Sequence, residues 1–131
     1  FEKAFIKLIV AYDDGGGFVS NTNDNSIVTK IMFEDTSFLL MSNCGFDCTE
    51  RISTDITKSN VLVIDGSCDS MTLTFLQKVK PEVAVFNGEI CPQTKSTFEY
   101  LSIPIYSTKD NGDIRMESDG YNFNLKYLKS R

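Results

Sequence analysis

The chain has 131 residues, 41% of them hydrophobic and 24% charged, which supports a single folded domain spanning 1–131 and excludes an intrinsically disordered one. Thirteen basic residues against eighteen acidic ones leave a net charge of −5, with no Lys/Arg run longer than a pair. The electrostatic footprint of phosphate-backbone binding is therefore missing and no nucleic-acid partner is expected from charge. No apolar run approaches the roughly 20 residues of a membrane span, so no membrane segment is expected either.

In chain order, "FIKLIVAY" (5–12) reads as a strand. It is followed by "DDGGGFVSNTNDNS" (13–26), where consecutive glycines and then Asn, Asp and Ser mark a long turn. "SIVTKIMFEDTSFLLMS" (26–42) reads as two strands joined by a tight turn at Glu34 and Asp35. The second strand is apolar almost throughout, as for burial on both faces. "FDCTERISTDI" (46–56) predicts a short helix and "NVLVID" (60–65) a compact buried strand. In "SMTLTFLQKVKP" (70–81), Met71, Phe75, Leu76 and Val79 fall at helical spacing before Pro81 ends the pattern. A strand "EVAVF", a turn "NGE", a weak helix near "STFEYL" and a strand "IPIYS" follow. Asn111-Gly112 and Asp119-Gly120 both read as hairpin turns flanking "DIRMES" and "YNFNLKYL", so the chain is expected to close with an antiparallel meander. The alternation predicts α/β, with a mixed sheet and outer helices.

The chemistry begins with an absence. The chain has no histidine, which removes the commonest general base, the commonest metal ligand and every Ser-His or Cys-His pairing. Gly15-Gly16-Gly17 lacks the Lys-Ser/Thr ending of a phosphate-binding loop. The oxygens of Asn21, Asn23 and Asn25 suggest a calcium loop, but Met32 stands where its bidentate glutamate would be. Four cysteines, Cys44, Cys48, Cys68 and Cys91, could be free thiols, disulfides or a metal site. Free thiols are the leading expectation, and with them a reducing, cytoplasmic setting is slightly favoured.

The order of the segments resembles the ComEC-type competence proteins of the metallo-β-lactamase superfamily. "NDNSIVTKIMFEDTSFLLMSNC" is similar to that family's N-[ND]-N-S-L-V-L followed by F-L-L-T-G-D. "NVLVIDGSCDS" sits where the family has D-V-L-K-V-G-H-H-G-S. "FLQKVKPEVAVFNGE" sits at F-L-x-x-V-K-P-x-x-A-V-I-S-x-G, and "IPIYSTKDNGDIRMESDG" at the closing I-x-V-Y-x-T-x-x-x-G-x-I. The ordered set covers roughly residues 5–120. It implies the C-terminal half of a metallo-β-lactamase-like αββα sandwich, with the family's first histidine cluster expected upstream of Phe1.

The departures from the family carry the functional expectation. Asn43 replaces the metal-bridging aspartate, and Gly66 and Ser67 fall on the two histidine positions of the H-H-G-S loop. The late G-H-P histidine has also gone, around Cys91-Pro92-Gln93. Metal hydrolases of this class need the dication to activate water, so the resemblance implies a pseudoenzyme without cofactor, kept as a structural or protein-interaction scaffold. A protein partner or homo-oligomer would cover an exposed apolar strand edge. Two alternatives stay open: a hydrolase or nuclease with zinc held by Cys44, Cys48, Asp65, Cys68, Asp69 and Cys91 along one rim, and a single-stranded DNA-binding module related to DNA uptake.

Overall fold

The computed structural model describes residues 4–10, 27–42, 44–52, 58–65 and 71–128. The glycine run and the Asn21/Asn23/Asn25 turn, Asn43, Gly66, Ser67, Cys68, Asp69 and residues 53–56 of the helix expected over 46–56 lie outside these residues. The fold is mixed α/β. A six-stranded sheet contains β1 (Ala4–Val10), β2 (Ile27–Phe33), β3 (Thr36–Leu40), β4 (Val61–Asp65), β5 (Val83–Asn87) and β6 (Ile105–Ser107), side by side in sequence order. β1, β2 and β3 pair antiparallel; β3, β4, β5 and β6 pair parallel. The turn between β2 and β3 falls at Glu34 and Asp35 as expected, with Glu34 left-handed at φ 51°.

Each parallel crossover carries a helix: α1 (Phe46–Arg51) between β3 and β4, α2 (Leu73–Val79) between β4 and β5, and α3 (Pro92–Tyr100) between β5 and β6. The sequence marks their ends. Thr72 caps α2, its hydroxyl accepting from the Phe75 N–H at 3.1 Å, and Lys80 closes it in the left-handed region at φ 50° ahead of Pro81. Pro92 opens α3, where its missing N–H leaves no bond unmade.

The helices share one face of the sheet. Cys48, Phe75, Leu76, Val79 and Phe98 from the helices join Val28, Leu39, Leu62, Ile64, Ala84 and Phe86 from alternate strand positions in one buried cluster. Phe86 meets Phe98 edge to face, with ring centroids 5.5 Å apart, an arrangement contributing about 1 kcal/mol beyond its buried area.

A second layer lies on the opposite face. β7 (Asp113–Ser118) and β8 (Phe123–Leu128) form a hairpin that is a sheet of its own. Along β7, Ile114, Met116 and Ser118 are half-buried while Asp113, Arg115 and Glu117 are exposed, the period of a strand packed on one side. Three contacts seat it. Thr36 and Ser118 share a hydroxyl hydrogen bond of 2.6 Å, the Asp35 N–H donates to the Gly120 carbonyl at 2.6 Å, and the Tyr106 and Tyr127 rings lie 5.8 Å apart.

Two expectations are corrected. The chain closes with a two-stranded hairpin rather than a meander, because only Asp119-Gly120 makes a hairpin turn. Asn111-Gly112 instead ends a one-turn helix, α4 (Thr108–Asn111): Ser107 caps it by accepting from the Asp110 N–H, and Gly112 stops it at φ 75°. β3 is not buried on both faces. Leu39 is fully buried on the helix side, while Phe38 and Leu40 are only half-buried on the hairpin side.

Gly120 supplies a test of the hairpin's seat. It has φ 100°, and a Cβ there would come within 3.0 Å of the Glu34 side chain, whereas Gly88 at the same φ has open space. Gly88→Ala is expected to lose about 1 kcal/mol, the left-handed penalty alone. Gly120→Ala is expected to lose more, about 2–3 kcal/mol, because the hairpin must also shift. Urea unfolding of the two variants checks the difference, and equal losses would mean that the turn is not docked on Glu34.

Candidate functional site

In open α/β sheets chemistry gathers at the carboxyl ends of the parallel strands, where loops leave the sheet. Here that edge is formed by Met41 and Ser42 after β3, Asp65 ending β4, Asn87 ending β5 and Ser107 ending β6. The β3 and β4 ends stay joined beyond the strand: the Met41 N–H donates to the Val63 carbonyl at 2.8 Å and the Asp65 N–H to the Ser42 carbonyl at 3.1 Å. Ser42 is left-handed at φ 54° as the chain turns toward α1.

A short chain of polar side chains crosses this edge. Asn87 donates from Nδ2 to Oδ1 of Asp65 at 3.1 Å, Thr108 lies with its hydroxyl 3.4 Å from Oδ1 of Asn87, and the same hydroxyl accepts the Gly88 N–H at 2.7 Å. Beside it Lys109 pairs with Glu89 at 2.6 Å. The Glu89 carboxylate, bonding and attracting the ammonium, holds Lys109 above the ordinary lysine range. Ser107 donates to the Asp110 carboxylate at 3.1 Å, and its N–H donates to Oδ1 of Asn111. These groups satisfy one another, and none is buried as a charge without a partner.

The cysteines are elsewhere. Cys44 and Cys48 form a disulfide and are 1% and 0% exposed in the helix-side core. Cys91, the N-cap of α3, is also disulfide-bonded. Asp65 shares the parity of Val61 and Val63, which alternates with the core residues Leu62 and Ile64, so its side chain belongs to the hairpin face. The expected rim is thereby corrected for Cys44, Cys48 and Cys91, while Cys68 and Asp69 lie outside the described residues. Asp65 shares an edge with Cys44 and Cys48 but stands on the other face of the sheet, and Cys44, Cys48 and Cys91 as cystines offer no thiolate. The expectation of free thiols is corrected for these three residues too. Among the described residues no three of His, Cys, Asp and Glu converge as metal ligands. By themselves the described donors do not make up a zinc site or the metal pair of a metallo-β-lactamase-like hydrolase.

Sequence reasoning missed Asn87, Thr108 and the Glu89–Lys109 pair. One signal was present: Ser107-x-x-Asp110 is a helix-capping pattern, and reading it would have put Thr108 and Lys109 on a helix beside the end of β5. In comparisons with known proteins, no family model, no curated protein and no solved structure matches the chain.

Two variants separate the roles at this edge. Thr108→Val removes the acceptor of the Gly88 N–H and is expected to cost about 1 kcal/mol. The double variant Cys44→Ala/Cys48→Ala opens a cross-link of sequence separation 4 and is expected to lose about 2 kcal/mol in the chain-entropy account. Urea midpoints at fixed slope measure both, and an unchanged midpoint in the cysteine variant would show that the cross-link contributes nothing.

Proposed function

We propose that this chain is a non-catalytic module, a degenerate relative of the metallo-β-lactamase-like domains, that acts by binding another protein. The observation that carries the reading is the use made of the rim. Asp65 is hydrogen-bonded to Asn87 on one face, Cys44 and Cys48 are joined to each other under the other face, and Cys91 is cross-linked. A hydrolase of this class needs three or more ligands converging on a dication with one position left open for water. A chain without histidine whose described cysteines are cystines retains few groups with which to build that arrangement.

The interaction role is supported by the second face of the sheet. The β7–β8 hairpin crosses this face from the β2–β3 turn to β6. Ile31, Phe33, Phe38, Leu40 and Val63 are left half-buried, and Ile27 is 53% exposed. Adjacent apolar side chains that remain wet on a folded protein mark a surface meant for contact. The layering of helices, large sheet and small antiparallel sheet agrees with half of an αββα sandwich, and the segment order in the sequence supports the same reading.

Native mass spectrometry of the chain purified from its source without chelator tests the proposal. The expected spectrum shows an unmetallated chain within a protein complex. Stoichiometric zinc, with a hydrolytic activity that disappears when the zinc is stripped, would overturn the non-catalytic reading. A monomer by light scattering, with no co-purifying protein, would overturn the interaction role.

A further inference from the structure

We propose that this protein matures and works in an oxidising compartment, outside the reducing cytosol, with its cysteines serving as permanent cross-links. Cys44 and Cys48 are bonded to each other, Cys91 is disulfide-bonded, and among the described residues no cysteine is free.

Burial decides what kind of disulfide Cys44–Cys48 is. Disulfides that come and go in the cytosol, in redox sensors and oxidoreductases, are opened by a thiolate that must reach one sulfur along the S–S axis. Cys44 and Cys48 are 1% and 0% exposed and belong to the main core cluster with Met41, Ile52 and Met71. No thiolate reaches a sulfur there without unfolding the surrounding core. The bond is therefore made once, as the chain folds. Two thiols lose two protons and two electrons and the S–S bond forms; a protein disulfide of the compartment's oxidative machinery accepts the electrons and is reduced to a dithiol. A bond so made persists where the compartment does not reduce the protein each time it unfolds.

The bond also does local structural work that explains its place. α1 has six residues, too few to be stable alone, and its N-cap Gly45 offers no side-chain oxygen to the first turn. Cys44 immediately precedes that cap and Cys48 is the third residue of the helix, so the cross-link fixes the turn that a capping side chain would otherwise hold. Cys91 occupies the equivalent place at α3, an N-cap without a side-chain hydrogen bond. Two helices that leave the same sheet edge thus begin at disulfide-bonded cysteines, as expected of a small domain built to stay folded without the cytosol's chaperones and reductants.

The test uses the chain from its own source. Cells and medium are quenched in acid and N-ethylmaleimide under denaturing conditions, fractionated in parallel, and the chain's intact mass is measured with and without prior reduction. The expected result is an unreduced chain without adducts, lighter than the reduced form by two hydrogens per cystine, found in the extracytoplasmic or secreted fraction. After reduction it should carry an adduct on each of its four cysteines. Maleimide adducts on the unreduced chain, or an oxidised chain confined to the cytosolic fraction, would overturn the proposal. The outcome is independent of whether the module is catalytic, because it reads cysteine state and location alone.

Discussion

The structure depends on a constraint of handedness. Parallel strands joined in sequence order by crossovers of one hand place every connecting helix on the same side, and β3, β4, β5 and β6 are parallel neighbours in sequence order. α1, α2 and α3 therefore stack on one face, and alternate strand residues from Val28 to Phe86 meet them in a single core. A doubly wound sheet reverses its strand order and covers both faces; a monotonic one covers one face and leaves the other to be dealt with separately.

That other face is covered by the hairpin. Val61, Val83 and Val85 are buried although they point away from the helices, on the face that carries the β7–β8 hairpin. It is held at one end by the Thr36–Ser118 hydroxyl pair and the Gly120 turn, and at the other by Tyr127 against Tyr106. Its outward side carries Arg115, Glu117 and Lys126, with Glu117 within 3.8 Å and 3.5 Å of the two cations. These pairs are exposed, so solvent screening leaves them little to contribute. The hairpin is thus a polar-out, apolar-in ribbon whose stability comes from the sheet beneath it. Ile31, Phe33, Phe38 and Leu40 on the same face of β2 and β3 stay half-buried.

Much of the fold was legible because its signals are local. Strand runs such as "NVLVID" and "EVAVF" have only one compatible period and length, and α2 announces itself through Phe75, Leu76 and Val79 between Thr72 and Pro81. Legibility failed where one dipeptide serves two purposes. Asn-Gly is a hairpin turn between strands and a helix stop after a capped turn, and Ser107 decides between them at Asn111-Gly112. It failed again for β3, whose apolar composition does not reveal that one face is covered by helices and the other by a narrow ribbon. The resemblance to metallo-β-lactamase-like segments singled out Asn43, Gly66 and Ser67, which lie outside the described residues.

The candidate rim illustrates why sequence proximity to an edge is a poor guide to a site. Asp65, Cys44 and Cys91 follow the carboxyl ends of β4, β3 and β5. A sheet has two faces, however, and alternation sends Asp65 toward the hairpin while Cys44 and Cys48 sink among the helices. A ligand set has to converge from one side, within about 2–2.3 Å of a common point. Sequence order specifies the edge, parity specifies the face, and the pairing of the thiols specifies the chemistry left to them. Cysteine is among the most buried of residues whether bonded or free. Once two of them lie four positions apart across the start of a short helix, joining them stabilises that helix, whereas leaving them free would gain no exposed nucleophile or ligand. The same burial that makes the pair useless as a metal site makes it useful as a cross-link.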